Sequence, residues 1–333
     1  MNILIVKFGA LGDVVRTAYI LKGLLEKYRE AKIDWLTSSP SADLLRFNPF
    51  ISTVVTPNCG FDTIRAKRYD LCISLDDEKE ILEMIEDLDI KKIVGAYLDG
   101  NQPTYSPDSA LWFDMGLLSK YGKAEADRLK KENRLEHNEI MERILGIEIK
   151  EPFFYNSSYL EEKAKSVFDD RFFNIGLNSG SGGRWQSKQL SLEKSIALIG
   201  QLLELKIGGK ETKIYLFGGL EEQERHREIT NAFKTQSVVD TGNANTILEF
   251  AALIKGCDYL ISSDSLALHL GISQGVKNLS FFAPTSAAEI GTFGKGVKVI
   301  SSADDYCSYK KDCDTSSVSV ERILETFKHH LQI

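Results

Sequence analysis

Short apolar runs alternate with amphipathic stretches along this chain, and each pair reads as a strand followed by a helix. The first run, Asn2–Val6 (NILIV), stops at Lys7; Val14, Ala18, Leu21 and Leu25 then recur at the three- and four-residue steps of a helix face. Further runs at Ile33–Thr37, Thr53–Val55, Asp70–Leu75 and Lys92–Val94 predict strands, with helical stretches between several of them. That alternation predicts an α/β fold with a mainly parallel sheet. Asn101–Asp108 is polar and contains proline, so it reads as a loop. Trp112–Leu118 (WFDMGLL) reads either as a flap over an acceptor or as local core. Lys120–Arg143 mixes both charge signs, the pattern of a solvated helical face.

A boundary falls near Pro152–Leu160, dividing the chain into domains 1–158 and 159–333. A helix is expected over Glu161–Phe168, and Asn174–Asn178 opens a second series of strands. Ser191 is placed to cap a helix whose stripe is Ile196, Ile199 and Leu203, with Gly208-Gly209 as its stop. Strands follow at Lys213–Phe217 and Val238–Asp240, then a helix over Thr246–Lys255. Tyr259–Ile261, an apolar helix closed by Gly275, and Leu279–Phe282 form a strand–helix–strand unit. Val297–Ile300 and a terminal helix with Val320, Leu324, Phe327 and Leu331 on one face complete the series. No internal repeat or low-complexity segment interrupts it.

Composition narrows the function classes. At 333 residues the chain is too long for one ordinary core, so two domains of roughly 150 to 170 residues are expected. A net charge of −7 argues against general nucleic-acid binding. No apolar run approaches the roughly 18 residues that would span a bilayer. The opening run lacks the form of a signal peptide, so a cytoplasmic protein is expected, with contact to a membrane surface left open. Of the five cysteines, Cys72 and Cys257 read as buried thiols; Cys307 and Cys313 could pair or bind metal, but a lone C-x5-C is a weak pattern.

Candidate chemistry gathers where strands end. Gly9 and Gly12 stand between the first strand and its helix, where they allow a tight turn and leave room for a ligand. The spacing is not G-x-G-x-x-G, which sets a dinucleotide cofactor aside. Asp13 is either a first-turn acid or a carboxylate held on a rigid element for chemistry. Asp76-Asp77 resembles a metal-binding pair, but the run continues Glu78-Lys79-Glu80, so a solvated helix start is expected instead. The loop Ser179-Gly180-Ser181-Gly182-Gly183-Arg184-Trp185-Gln186-Ser187-Lys188 offers N–H donors with two cations nearby, a setting for a diphosphate. Glu222 follows a strand end, where an acid can accept both hydroxyls of a ribose or simply favour a helix start. Around Asp264-Ser265-Leu266-Ala267 two readings fit: an anion and sugar site, with Asp264 accepting from hydroxyls, or a βα turn with a serine cap and His269 in the core.

Taken together, NILIVKFGALGDVV, YDLCISLD, LNSGSGGRWQSKQLS, YLFGG with its two following acids, EFAALI, SSDSLALHL and FFAPTS resemble glycosyltransferase family 9, the bacterial heptosyltransferases. The resemblance implies GT-B architecture: two Rossmann-like doubly wound domains facing across a cleft, the first for the acceptor and the second for the donor. It implies inverting transfer of a heptose or related sugar from an ADP-sugar to a lipopolysaccharide-core or other glycan hydroxyl, without a metal or other cofactor. The implied partners are the nucleotide sugar and a glycan or glycolipid acceptor at the inner membrane surface. Asp13 matches the catalytic base, and Lys188, with Ser179 and Ser181, the diphosphate ligands. Glu222 matches the ribose acid, Asn245 the residue near adenine, and Asp264 the acid at the donor sugar. Leu266 departs from the family pattern, in which a glycine commonly stands there; a side chain narrows the pocket and disfavours positive φ. An epimerase or another sugar transferase of the same architecture, and a non-catalytic sugar-nucleotide binder, are the alternatives.

Overall fold

The computed structural model describes residues 1–182 and 185–333. Contacts divide the chain into two units, Met1–Tyr155 with Ala288–Gly291, and Asn156–Ala287 with Thr292–Ile333.

In the first unit the strands are β1 (Asn2–Val6), β2 (Lys32–Leu36), β3 (Thr53–Val55), β4 (Arg68–Tyr69), β5 (Leu71–Ser74), β6 (Asp89–Ile90), β7 (Ile93–Asp99) and β8 (Gln102–Tyr105). The main sheet has the order β3-β2-β1-β5-β7-β8, while β4 and β6 pair separately. All its pairings are parallel except β7 with β8. The stretch expected as a loop after Asn101 thus contains an antiparallel edge strand. Its Pro103 sits on that edge, where a missing N–H is tolerated. Ile3–Val6 are fully buried, as a central parallel strand covered on both faces requires. The Trp112–Leu118 stretch joins this core through buried Phe113 and partly buried Trp112 and Leu118, so it is local core.

The second unit has β9 (Phe173–Asn178), β10 (Lys206–Ile207), β11 (Lys210–Leu216), β12 (Val238–Asp240), β13 (Tyr259–Ser263), β14 (Lys277–Phe282) and β15 (Gly296–Ile300). Its spine runs β11-β9-β13-β14-β15, all parallel, with β12 parallel and β10 antiparallel to β11. Gly208 and Gly209 are not a helix stop. Their φ values of 57° and 81° make the tight turn between β10 and β11, where two left-handed residues suit a hairpin. The preceding helix, Leu192–Leu203, starts on Ser191, whose side chain accepts from the Lys194 N–H. The terminal helix Val320–Leu331 buries Ile323, Leu324 and Phe327 in the same core.

Both sheets are doubly wound, and their strand order fixes where ligands can sit. Successive strands extend outward from β1 on one side, and the order reverses between β1 and β5; in the second unit it reverses between β9 and β13. A crevice opens beyond the carboxyl ends of the strands at such a reversal. Residues 7–13 and 75–77 lie at the first reversal, and residues 179–182, 185–188 and 264–269 at the second.

Candidate functional site

The loop after β1 is pinned from several sides. Lys7 Nζ lies 2.5 Å from Asp76 Oδ1, and the Phe8 N–H donates to the other oxygen of Asp76. The Lys7 carbonyl accepts from Thr37 Oγ1 at 2.6 Å, and the Phe8 carbonyl from Ser38 and Ser41 hydroxyls at 2.8 and 2.6 Å. Asp76 is therefore not a solvated helix-start acid: it is buried and ties the ends of β1 and β5 together. Burial raises its pKa, opposed by the Lys7 charge and by hydrogen bonds from Lys7 and Phe8.

From this fixed loop the helix Leu11–Thr17 projects Asp13 in its first turn. The Asp13 carboxylate keeps about a third of its side chain exposed and sits 2.8 Å from an Arg16 guanidinium nitrogen. Arg16 in turn lies over the Trp112 ring at 5.5 Å and 3.9 Å from Glu289 Oε2. Stacking and pairing hold the guanidinium in place beside the Asp13 carboxylate. A Cβ on Gly9 would meet nothing within 4 Å, so the backbone there borders open space, whereas Gly12 is buried in the helix. Sequence reasoning missed Lys7 and Arg16; a cation three residues after an acid on one helix is the only local signal for Arg16.

At the second reversal, Asp264 is the centre. Lys188 Nζ is 3.0 Å from both Asp264 Oδ2 and the Asp264 carbonyl, and His269 Nε2 is 3.7 Å from Asp264 Oδ1. Burial alone would raise the Asp264 pKa, but the Lys188 charge and His269 hold it well below the usual carboxylate range. Ser265, the N-cap of the Leu266–Ser273 helix, has its hydroxyl 2.9 Å from Asn178 Nδ2 and 3.1 Å from the Ser262 hydroxyl. The Ser263 hydroxyl donates to the Gly180 carbonyl at 2.9 Å, which joins the glycine/serine loop to β13. Leu266 is half-buried with ordinary helical backbone, so no positive φ is needed where the family pattern has glycine; Ala267 and His269 are buried.

The glycine loop is less open than its sequence suggests. Glu222 accepts from the Gly182 N–H at 3.0 Å and from the Gly219 N–H at 2.8 Å, so its carboxylate clamps two strand-end loops and one N–H expected for an anion is occupied. A carboxylate has about four acceptor positions, so capacity for ribose hydroxyls remains. The Ser181 hydroxyl donates to the Trp185 carbonyl at 2.8 Å. Asn245 caps its own turn through the Thr241 and Gly242 carbonyls at 3.1 and 2.8 Å. Beside it, buried His226 pairs with Asp240 at 2.8 Å, and Asn243 reaches both His226 and the Gly219 carbonyl. Arg184 lies outside the described residues.

A second layer, not foreseen from the sequence, braces this site from the C-terminal loop. Ser187 bonds the Lys310 and Lys311 carbonyls through its hydroxyl and N–H. The Tyr306 hydroxyl accepts from the Ala287 N–H at 2.8 Å, and Cys307 and Tyr309 bond the carbonyls of Ala283 and Pro284. Cys307 and Cys313 are buried free thiols, as are Cys72 and Cys257. Among the described residues, no group of three or more His, Cys, Asp or Glu side chains could hold a metal ion.

The model of glycosyltransferase family 9 (heptosyltransferase) matches residues 201–319. The resemblance to glycosyltransferase family 9 holds. The matched segment contains Glu222, Asn245, Asp264 and His269 of the site above. No curated protein matches the chain by sequence. Among solved structures, a glycosyl transferase family 9 protein from Veillonella parvula aligns over 99% of this chain and 97% of its own, with 17% identity and a TM-score of 0.76. E. coli ADP-heptose lps heptosyltransferase II aligns over 100% and 99%, with 16% identity and a TM-score of 0.70. E. coli heptosyltransferase WaaC with ADP aligns over 99% and 100%, with 16% identity and a TM-score of 0.68. The fold is the GT-B class of family 9 glycosyltransferases.

Proposed function

We propose that this chain is an inverting, metal-independent glycosyltransferase that moves a heptose or related sugar from an ADP-sugar to a hydroxyl of a lipopolysaccharide-core or other glycan. The observation that carries the reading is Asp264, held between Lys188 and His269 at the strand-order reversal of the unit that contains the family 9 match. Support for the donor class comes from that match and from the printed ligand of a fold neighbour, ADP.

In this reading the second unit binds the donor. Lys188 directs two of its three N–H donors at Asp264, and among the described residues the third is left for a diphosphate oxygen. Ser179, Gly180 and Ser181 line the same loop, with Arg184 as a further candidate cation. Asp264 and His269 address the donor sugar, Ser265, Leu266 and Ala267 supply backbone at the helix start, and Glu222 and Asn245 serve the ribose and base. The acceptor hydroxyl attacks the anomeric carbon, its proton passes to Asp13, and the bond to the diphosphate breaks with its electron pair leaving on ADP. A diphosphate leaves as an anion, so charge stabilisation by Lys188 replaces a general acid. The acceptor is a glycan or glycolipid at the inner membrane surface, reached from the cytoplasm. Among the described residues no helix is long and apolar enough to cross a membrane.

The test is a calorimetric binding series with ADP-, GDP-, UDP- and dTDP-sugars, followed by donor consumption with and without glycan acceptors. Selective ADP-sugar binding and acceptor-dependent consumption are expected. Preference for another base overturns the donor assignment, and binding without turnover on any acceptor overturns the enzymatic one.

A further inference from the structure

Beneath the glycine/serine loop lies a cation that the candidate roles above leave unused. Arg225 stands three residues after Glu222 on the helix Gln223–Phe233. Its Nε donates to the Ser179 hydroxyl at 3.0 Å, and one terminal nitrogen donates to the Ser195 hydroxyl at 2.8 Å and to the Leu190 carbonyl. These bonds come from three segments of the unit, so the guanidinium has little freedom to turn away.

The direction of the Ser179 bond has a chemical consequence. A guanidinium only donates, so Ser179 Oγ is the acceptor and its own proton must go to another partner. The Ser179 backbone carbonyl is meanwhile occupied by the Leu190 N–H at 3.2 Å. Charge points the same way. Glu222 is 4% exposed and sits behind the loop, where its carboxylate repels an incoming diphosphate. Arg225 interacts electrostatically with Glu222 and offsets that field. Burial lowers the Arg225 pKa, yet a guanidinium stays cationic at any working pH.

We propose that Arg225 is a positioning residue of the diphosphate seat: it fixes the Ser179 hydroxyl as a donor toward the nucleotide's phosphates and cancels the Glu222 charge behind the loop. This rests on the donor-site reading of that loop. The experiment is calorimetric titration of ADP, adenosine and inorganic pyrophosphate into the wild type, Arg225→Gln, Arg225→Lys, Ser179→Ala and the Arg225→Gln/Ser179→Ala double variant. Arg225→Gln should weaken ADP and pyrophosphate by about tenfold to a hundredfold, the range for a charge-assisted hydrogen bond, and leave adenosine within about twofold. Arg225→Lys should recover part of the loss, because it keeps the charge without the fork. The double variant should be little worse than Arg225→Gln alone, since both substitutions remove one device. Equal losses for ADP and adenosine, or strictly additive losses, overturn the proposal. If Arg225→Gln does not fold by thermal denaturation, the Arg225→Lys and Ser179→Ala pair carries the same cycle. Wild type that binds pyrophosphate but not ADP sinks the nucleotide reading, while the pyrophosphate arm still tests Arg225. Wild type that binds neither overturns both.

Discussion

Asp13 and Asp264 are both paired carboxylates, yet their surroundings prepare them for different work. Asp13 keeps about a third of its side chain exposed beside a fixed Arg16, so a substrate proton can reach it. Asp13→Asn should lower transfer by roughly 10²- to 10⁴-fold, the usual contribution of a general base, and leave ADP affinity unchanged. Near-normal turnover in a steady-state assay would remove it from that role. Asp264 is 13% exposed and carries its charge at the expense of burial, so Lys188→Ala leaves it without its cation. That variant should lose about 3 kcal/mol or more of stability and bind ADP at least about tenfold more weakly. Intact ADP affinity with a loss confined to Arg184→Ala would shift the phosphate role to Arg184. The pH sign follows from the depressed Asp264 pKa. Its stabilisation is present above its ordinary value of 3.8 and fades as pH falls below it. Asp264→Asn should therefore be less stable than wild type at pH 7, with the gap in Tm narrowing below about pH 4. An equal gap at pH 7 and pH 3 would contradict this.

Two positions, one in a strand and one in a strand-end loop, require glycine for separate reasons. Gly95 in β7 has φ +119°, and a Cβ there would stand 1.8 Å from the Ser74 carbonyl oxygen of β5. Backbone cannot yield as a flexible side chain does, so Gly95→Ala should cost about 3 kcal/mol or more, read as a fall in Tm. Gly180 is tight against a side chain instead: a Cβ would meet Glu222 Cγ and Oε1 at 2.5 Å. Alanine there must push Glu222 off the Gly182 and Gly219 amides. Weaker ADP binding with a much smaller stability loss than Gly95→Ala is expected. Strand and helix positions were legible from periodicity because they depend on local spacing. The edge strand β8 was not, because Pro103 and its polar neighbours carry no alternation that distinguishes an edge strand from a loop.

Each unit has its own buried core, and a ligand held within one of them stabilises that one directly. ADP at about 100 times its Kd should add roughly 2.7 kcal/mol to the unit that binds it. Hydrogen exchange should show the gain in residues 156–287 and 292–333; protection confined to the first unit would displace the donor site. Turnover should also survive EDTA. Inhibition that added metal reverses would overturn the cationic-loop account. The sequence by itself determined an α/β fold with a mainly parallel sheet, most elements and the positions of Asp13, Lys188, Asp264 and His269, because these depend on apolar spacing and on residues adjacent to strand ends. The doubly wound class was implied by the family resemblance, and the strand order bears it out. Tertiary structure alone decided their partners. Lys7 with Asp76, Arg225 with Ser179, and Tyr306 with the Ala287 amide are separated by 69, 46 and 19 residues. Only the parallel pairing of distant strands brings such groups together, and no local pattern encodes a bond across that distance.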